Sequence, residues 1–178
     1  MIAVLLANGF EEIEALTPVD ILKRAGLKVK TVAISGDCAI GSHGIKVICD
    51  MKAEELDVEK IDAVIFPGGM PGATNLDASP YTDKIVESVN KRDGIIAAIC
   101  AAPLVLGRRG LLNGKKATCY PGFEGELVGA TIADAGVVTD GRIVTARGMG
   151  VALDFSLELV RLLVSEKKAE EISSSICR

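Results

Sequence analysis

Residues 94–103 read GIIAAICAAP, and this stretch constrains the fold more than any other. The run over 95–99 contains no polar residue, which is typical of a strand buried on both faces of a parallel sheet. Cys100 ends the run, and the residues after it are compatible with a helix that has Pro103 near its start. The sequence therefore predicts a strand-to-helix turn with a cysteine at its tip.

A cysteine at such a turn occupies the position of a nucleophile elbow. The bend is tight and often strained, and the small residues Ala98 and Ala102 on either side allow it. The sulfur would face the N-terminus of the next helix, whose free N–H groups and dipole lower a thiol pKa. Cys100 also fits a second interpretation, a small buried core residue, which is what most cysteines are. The elbow pattern favours the reactive thiol.

Strands and helices alternate along the rest of the chain, which predicts an α/β sandwich with a mostly parallel sheet covered on both faces. Buried strands are predicted at residues 2–6, 28–34, 62–66 and 95–99. Helices are predicted at residues 11–25, with a break at Pro18, and at 79–91 and 151–166. Small β-hairpins are predicted at residues 36–50 and 137–146. The chain is expected to form one domain over 1–178, with 167–178 as a polar C-terminal extension.

Ligands bind outside the carboxyl ends of the strands in such a sheet, which brings three predicted loops together. The first carries Glu14, the second carries Gly68 and Gly69, and the third carries Cys100. Glu14 alone fits an ordinary carboxylate in a first helical turn, and the glycine pair fits a simple turn. Alternatively, a backbone N–H of the glycine loop joins that of Ala101 to form an oxyanion hole.

Composition argues against several classes of function. A net charge of −4 without a basic cluster gives no electrostatic footprint for nucleic acid. Five cysteines form no C-x-x-C pair and the chain has one histidine, so a zinc site is hard to build and neither a metal nor another cofactor is expected. Scattered thiols fit a reduced, cytoplasmic protein. The first apolar run is short and lacks a preceding basic segment, so neither a signal peptide nor a membrane span is expected.

Four segments together resemble the ThiJ/PfpI superfamily, most closely its branch of parkinsonism-associated deglycases: FEEIEALTPVDILKRAG, FPGGMPGATNL, IIAAICAAP and TARGMG. The resemblance is collinear to about residue 164. It implies a flavodoxin-like sandwich, a homodimer and a reactive cysteine at Cys100. The other site residues that it implies are an acid beside the sulfur, two backbone donors and two arginines: Glu14, Gly69, Ala101, Arg24 and Arg147.

Departures from the family pattern narrow the function. Protease-like members carry histidine directly after the cysteine, where this chain has Ala101, so a Cys-His peptidase or a glutamine amidotransferase is not expected. Tyr120 stands where the deglycase branch often has histidine. His43 stands in the predicted hairpin where the family tends to have arginine. Histidine is a residue type of intermediate burial, which favours a surface position here. Met149 replaces a frequent proline of the R-G-x-G loop. Tyr120 and His43 are nonetheless expected at the pocket, together with Gly68.

A thiolate beside a carboxyl group is suited to adding to the carbonyl of an α-oxoaldehyde. Glu14, with a pKa raised by apolar surroundings, would donate and then retrieve the proton of the carbonyl oxygen. The resemblance implies glyoxalase or deglycase activity on a small aldehyde or a glycated adduct. The alternative is a non-enzymatic oxidative-stress sensor or chaperone that acts through oxidation of Cys100.

In either case, apolar residues of the first helix and hairpin, among them Val19 and Val47, predict a homodimer.

Overall fold

The computed structural model describes residues 1–178 and contains eleven strands. In chain order they are β1 (Ile2–Leu6), β2 (Val29–Ala33), β3 (Cys38–Ile40), β4 (Lys46–Ile48), β5 (Met51–Lys52), β6 (Ala63–Phe66), β7 (Ile95–Ile99), β8 (Lys116–Ala117), β9 (Thr131–Ile132), β10 (Val137–Asp140) and β11 (Ile143–Ala146). Seven of them form the central sheet in the order β10-β11-β7-β6-β1-β2-β5. Only β10 runs antiparallel to its neighbour.

Six α-helices cover the two faces of this sheet. They are α1 (Glu12–Arg24), α2 (Gly72–Asp77), α3 (Pro80–Lys91), α4 (Pro103–Arg108), α5 (Ala152–Leu163) and α6 (Glu166–Ser175). Residues of α1, α5 and α6 share one core with the sheet, and residues of α2, α3 and α4 share the other. The predicted flavodoxin-like sandwich is confirmed. None of the helices has both the length and the apolar character that crossing a bilayer requires.

The three central strands β1, β6 and β7 are apolar and almost completely buried. Aliphatic residues on both faces of a strand find partners only when helices cover both sides, so these runs force the layered arrangement. Both predicted hairpins are confirmed, since β3 pairs with β4 and β10 pairs with β11. Gly141 closes the second hairpin with a φ of 62°, a conformation that favours glycine.

Two predictions about helices were wrong. Helix α1 continues through Pro18, which lies buried within it, so proline does not divide the segment into two helices. The expected solvated extension after residue 166 is instead helix α6, whose Ala169 and Ile172 are buried against the core shared with α5. Ser165 begins this helix, because its side chain accepts a hydrogen bond from the Lys168 N–H at 3.1 Å.

Candidate active site

Cys100 lies at the tip of the turn between β7 and α4 and has a φ of 65°. A non-glycine residue in this left-handed region is strained by about 1–3 kcal/mol, so the surrounding structure must hold it there. The Cys100 N–H donates to the Ala146 carbonyl at 2.9 Å, and the Cys100 carbonyl accepts from the Tyr120 N–H at 2.8 Å. The chain thus forms the strained elbow that the sequence predicts.

Gly68, which follows β6, lies between the acid and the thiol. Its N–H donates to Glu14 Oε2 at 2.9 Å. A Cβ added to Gly68 would lie 2.6 Å from the Cys100 Cβ and 2.6 Å from Glu14 Oε2. Only glycine therefore allows the carboxyl group and the sulfur to approach each other across this loop.

Glu14 is 1% exposed, in the first turn of α1. Its N–H donates to Glu11 Oε2 at 2.7 Å, which begins the helix. Burial raises the pKa of Glu14 from 4.5 to about 7, although contact with Cys100 and the Gly68 N–H offset part of the effect. The raised pKa expected for this residue is confirmed, and Glu14 can hold or release a proton near neutral pH.

The pKa of Cys100 shifts in the direction opposite to the predicted one. Burial and the neighbouring Glu14 carboxylate raise the pKa of the thiol, and the N–H groups of Ala101 and Gly69 lower it only in part. Helix α4 is six residues long and begins at Pro103, so its dipole offers the sulfur little. Since one negative charge is easier to bury than two, the pair loses its first proton more readily than its second.

The backbone N–H groups of Gly69 and Ala101 both lower the pKa of the Cys100 thiol. Neither donates to a backbone carbonyl, so both are free to bind an oxygen beside the Cys100 sulfur. Gly69 presents its N–H with a φ of 85°, which a residue with a side chain rarely adopts. These are the positions expected for oxyanion donors.

Tyr120 and Met149 lie at the rim of this site. The Tyr120 side chain is half exposed, and its ring packs beside Gly148, which also approaches Glu14. The backbone of Met149 lies near Glu14 and lowers the pKa of its carboxyl group. The rim thus offers a phenol rather than an imidazole.

Neither expected arginine contacts Cys100 within one chain. Arg24 lies at the far end of α1 from Glu14 and pairs with Asp20 at 2.6 Å. Arg147 pairs with Asp134 at 2.8 Å and lines a separate cavity of about 160 Å³ beside Cys119. Both guanidinium groups are therefore directed to other partners.

His43 interacts with Glu12 rather than with Cys100. Its N–H donates to Glu12 Oε1 at 2.8 Å, and its ring Nδ1 lies 2.9 Å from Glu12 Oε2. Although burial raises the pKa of Glu12, the hydrogen bonds from His43 outweigh it and lower the value to about 2. The same contact raises the pKa of His43. The His43 side chain is 72% exposed, as expected for a surface residue.

Sequence reasoning missed the role of Glu12. Glu11, Glu12 and His43 place ligand atoms within 4.8 Å of one another, which is a spacing that a metal ion could use. Both oxygens of Glu12 are, however, already engaged by donors of the β3–β4 loop, including the Ser42 hydroxyl at 3.3 Å. We therefore interpret Glu12 as the anchor of that loop. No sequence signal separates this acid from the acids beside it.

Comparisons with known proteins agree with this geometry. The sequence profile of the DJ-1/PfpI family matches residues 1–162. The Drosophila melanogaster protein dj-1beta is 35% identical over 97% of this chain and 94% of its own length. The Caenorhabditis elegans protein named glutathione-independent glyoxalase DJR-1.2 is 30% identical over 94% of this chain and 90% of its own. The solved structure of oxidized Toxoplasma gondii DJ-1 superposes with a TM-score of 0.95 at 32% identity, covering 99% of this chain and 97% of that one.

Proposed function

Because the chain belongs to the DJ-1/PfpI family, we propose that it is a cysteine-dependent glyoxalase that converts α-oxoaldehydes to 2-hydroxy acids without glutathione. One observation carries the proposal: the buried Glu14 carboxyl group and the Cys100 thiol meet across Gly68. A relative named as a glutathione-independent glyoxalase supports the same reaction class.

The reaction begins with proton transfer within the pair. With the proton on Glu14, the Cys100 thiolate adds to the aldehyde carbon of methylglyoxal and forms a C–S bond. The carbonyl π electrons move to the oxygen, which the N–H groups of Gly69 and Ala101 stabilise and which takes the proton of Glu14. The product is a hemithioacetal, and Glu14 is left as a carboxylate.

The Glu14 carboxylate then acts as a base. It removes the proton from the carbon bonded to sulfur, which leaves an enediolate, and it returns a proton to the neighbouring carbon, while the hydroxyl proton on the first carbon passes to the oxygen of the second. The hemithioacetal has then become a thioester of lactic acid, with one carbon oxidised and the other reduced. Water cleaves the thioester, releases lactate and restores Cys100, so no outside oxidant or reductant is required.

A glycated amine adduct is a related substrate. A hemiaminal of an α-oxoaldehyde can release its amine and deliver the aldehyde carbon to Cys100, after which the same steps follow. Deglycase activity would therefore use the same thiol and the same acid.

Oxidation sensing by Cys100 is a second candidate function. A protonated Glu14 and the free N–H groups of Gly69 and Ala101 surround the sulfur with donors. Such donors stabilise a sulfinate and would halt oxidation before the sulfonic acid. In that role the protein would need no substrate turnover.

The same family membership supports a homodimer as the working form. Apolar residues on α1 and the β3–β4 hairpin remain exposed in one chain, among them Leu16 at 37%, Ile45 at 54% and Ile48 at 79%. A two-fold interface between copies of this chain would cover them.

The test is methylglyoxal consumption by metal-free protein without glutathione, with lactate as the product. Cys100→Ser should lower turnover by at least about 100-fold, because it removes the nucleophile. Cys177→Ser, a change at an exposed cysteine, is the matched control and should keep full activity. In D2O the lactate should carry deuterium on the carbon that Glu14 reprotonates.

Full turnover by Cys100→Ser would exclude the proposed mechanism. If the unmodified protein turns over no aldehyde, yet mild peroxide adds two oxygens to Cys100 alone, the sensor function is favoured instead.

A further inference from the structure

A second cleft opens at the carboxyl ends of β1 and β2, beside the N-terminus of α3. It has a volume of about 330 Å³ and is lined by residues that include Asn8, Ser35, Ser79 and Tyr81. None of Cys100, Glu14 or Gly68 lines it. Its ligand is thus a question separate from the chemistry at Cys100.

Three backbone donors at this cleft have no partner in the protein. The N–H groups of Asn8, Ser35 and Tyr81 donate to no acceptor. Tyr81 lies in the first turn of α3, a helix of 12 residues, where the dipole adds positive potential. The cleft therefore presents N–H groups from three separate segments.

The Ser79 side chain gives independent evidence for a ligand. Ser79 is 7% exposed, so it is more than nine-tenths buried, and it lines the cleft. Although it precedes α3, its side chain makes no capping hydrogen bond. Every side-chain oxygen that is sealed from solvent has a hydrogen-bond partner in this protein. The Ser79 hydroxyl has no partner, so it is not sealed and must open into the cleft. A nearly buried hydroxyl without a protein partner is positioned to bind a ligand atom.

Some acceptors around the cleft are already used, whereas the carbonyls of Ile34, Ser35 and Ala78 accept from no backbone donor. Asn8 Oδ1 accepts from the Ile40 N–H at 2.9 Å, and the Asn8 carbonyl accepts from Asn75 Nδ2 at 2.9 Å. The carboxylate of Asp83 in the first turn of α3 pairs with Arg109 at 2.6 Å. The N-terminal turn of α3 and the Ser79 hydroxyl nevertheless give the cleft donors that an anion can use.

The surroundings of Tyr81 indicate the size of that anion. A second cavity of about 240 Å³ shares Ile34, Ser35 and Tyr81 with the cleft and is lined also by Lys52. Lys84 Nζ lies 6.0 Å from the centre of the Tyr81 ring. There is thus room for a small organic group beside the donors, near Lys84 and near Lys52, whose Nζ lies 3.9 Å from Glu54 Oε1 in the same cavity.

We propose that this cleft binds the phosphate group of a small phosphate monoester, with the organic part extending along Tyr81 into the second cavity. The phosphate oxygens accept from the N–H groups of Asn8, Ser35 and Tyr81 and from the Ser79 hydroxyl. The proposal goes beyond the glyoxalase function and requires nothing of Cys100.

The test is a titration of the ¹⁵N-labelled protein with glycerol phosphate, followed by amide chemical shifts at constant ionic strength. Saturable shifts are expected at Asn8, Ser35 and Tyr81, and they should persist in Cys100→Ser protein, which separates this site from the glyoxalase reaction. Ser35→Asp places a like charge at an exposed position and should weaken binding by about tenfold or more. Ser79→Ala should weaken it several-fold, because one donor is lost.

Ser174→Asp is the matched control, since it adds the same charge at an exposed serine of α6 and should leave binding unchanged. Equal shifts with sodium chloride alone, or unchanged affinity in both Ser35→Asp and Ser79→Ala, would overturn the proposal. If inorganic phosphate binds as tightly as the ester, the second cavity contributes nothing and a free phosphate replaces the monoester as the ligand.

Discussion

Replacing Glu14 with glutamine should make the protein more stable at neutral and basic pH while it abolishes turnover. Glu14 is 1% exposed, and its pKa is raised from 4.5 to about 7. The folded protein therefore binds this proton more tightly than the unfolded chain does. The stabilisation that the bound proton of Glu14 gives the folded state is fully present below pH 4.5 and is lost as the pH rises through about 7.

The magnitude follows from these two pKa values. The interval from 4.5 to about 7 corresponds to about 3 kcal/mol at about 1.4 kcal/mol per pH unit. Most of this loss, about 2–3 kcal/mol, falls between pH 5 and pH 8. Glutamine keeps an oxygen for the Gly68 N–H and an N–H donor toward Cys100, but it does not ionise. Relative to wild type, Glu14→Gln should therefore gain about 2–3 kcal/mol over this range.

Urea denaturation at pH 5, 6, 7 and 8 measures the difference directly. Both proteins keep His43, so the titration of that residue cancels in the comparison. Glu12→Gln is the control, because it neutralises a neighbouring buried acid whose pKa is lowered to about 2. That carboxylate is stabilising above pH 4.5 and loses its effect only as the pH falls toward 2, so Glu12→Gln should destabilise throughout pH 5–8. If the stabilities of wild type and Glu14→Gln run parallel from pH 5 to pH 8, Glu14 does not carry the buried proton.

Two further predictions concern the Gly68 loop and the dimer. Gly68→Ala should destabilise by about 1–3 kcal/mol and abolish turnover, because its Cβ would lie 2.6 Å from Glu14 Oε2 and 2.9 Å from the Ile99 carbonyl. Gly125→Ala, whose Cβ meets nothing within 4 Å, is the matched control, and equal losses in both variants would contradict the packing argument. Val47→Asp should convert the dimer to monomers in light scattering and reduce Cys100 reactivity, whereas a monomeric wild-type protein at micromolar concentration would refute the interface.

The sequence predicts the elbow well because the local residues and the surrounding sheet require the same conformation there. An apolar run long enough for a buried strand ends at Cys100, and Ala98 and Ala102 leave room for the bend. The α6 helix escaped prediction because its burial depends on only two side chains, Ala169 and Ile172, among mostly charged and polar neighbours. Its position is set by packing on α5, which no local pattern records.

Electrostatics was less predictable than geometry. A cysteine before a helix predicts a lowered pKa, yet the observed direction depends on how deeply the sulfur is buried and on which carboxyl group lies beside it. Glu11, Glu12 and Glu14 look alike in the sequence, but one begins a helix, one anchors a loop and one faces the thiol. Only the fold assigns these three roles.

The absence of an imidazole beside Cys100 makes the proton balance of the site simple. Glu14 is the titratable side chain that raises the pKa of the thiol most, and in the proposed reaction the pair exchanges its proton internally. Tyr120 donates its backbone N–H to the Cys100 carbonyl and leaves its ring at the rim. In the proposed reaction a single carboxyl group would serve as acid in the addition step and as base in the next. This requirement explains why a group with a pKa near neutrality, rather than an ordinary carboxylate, is buried beside the sulfur.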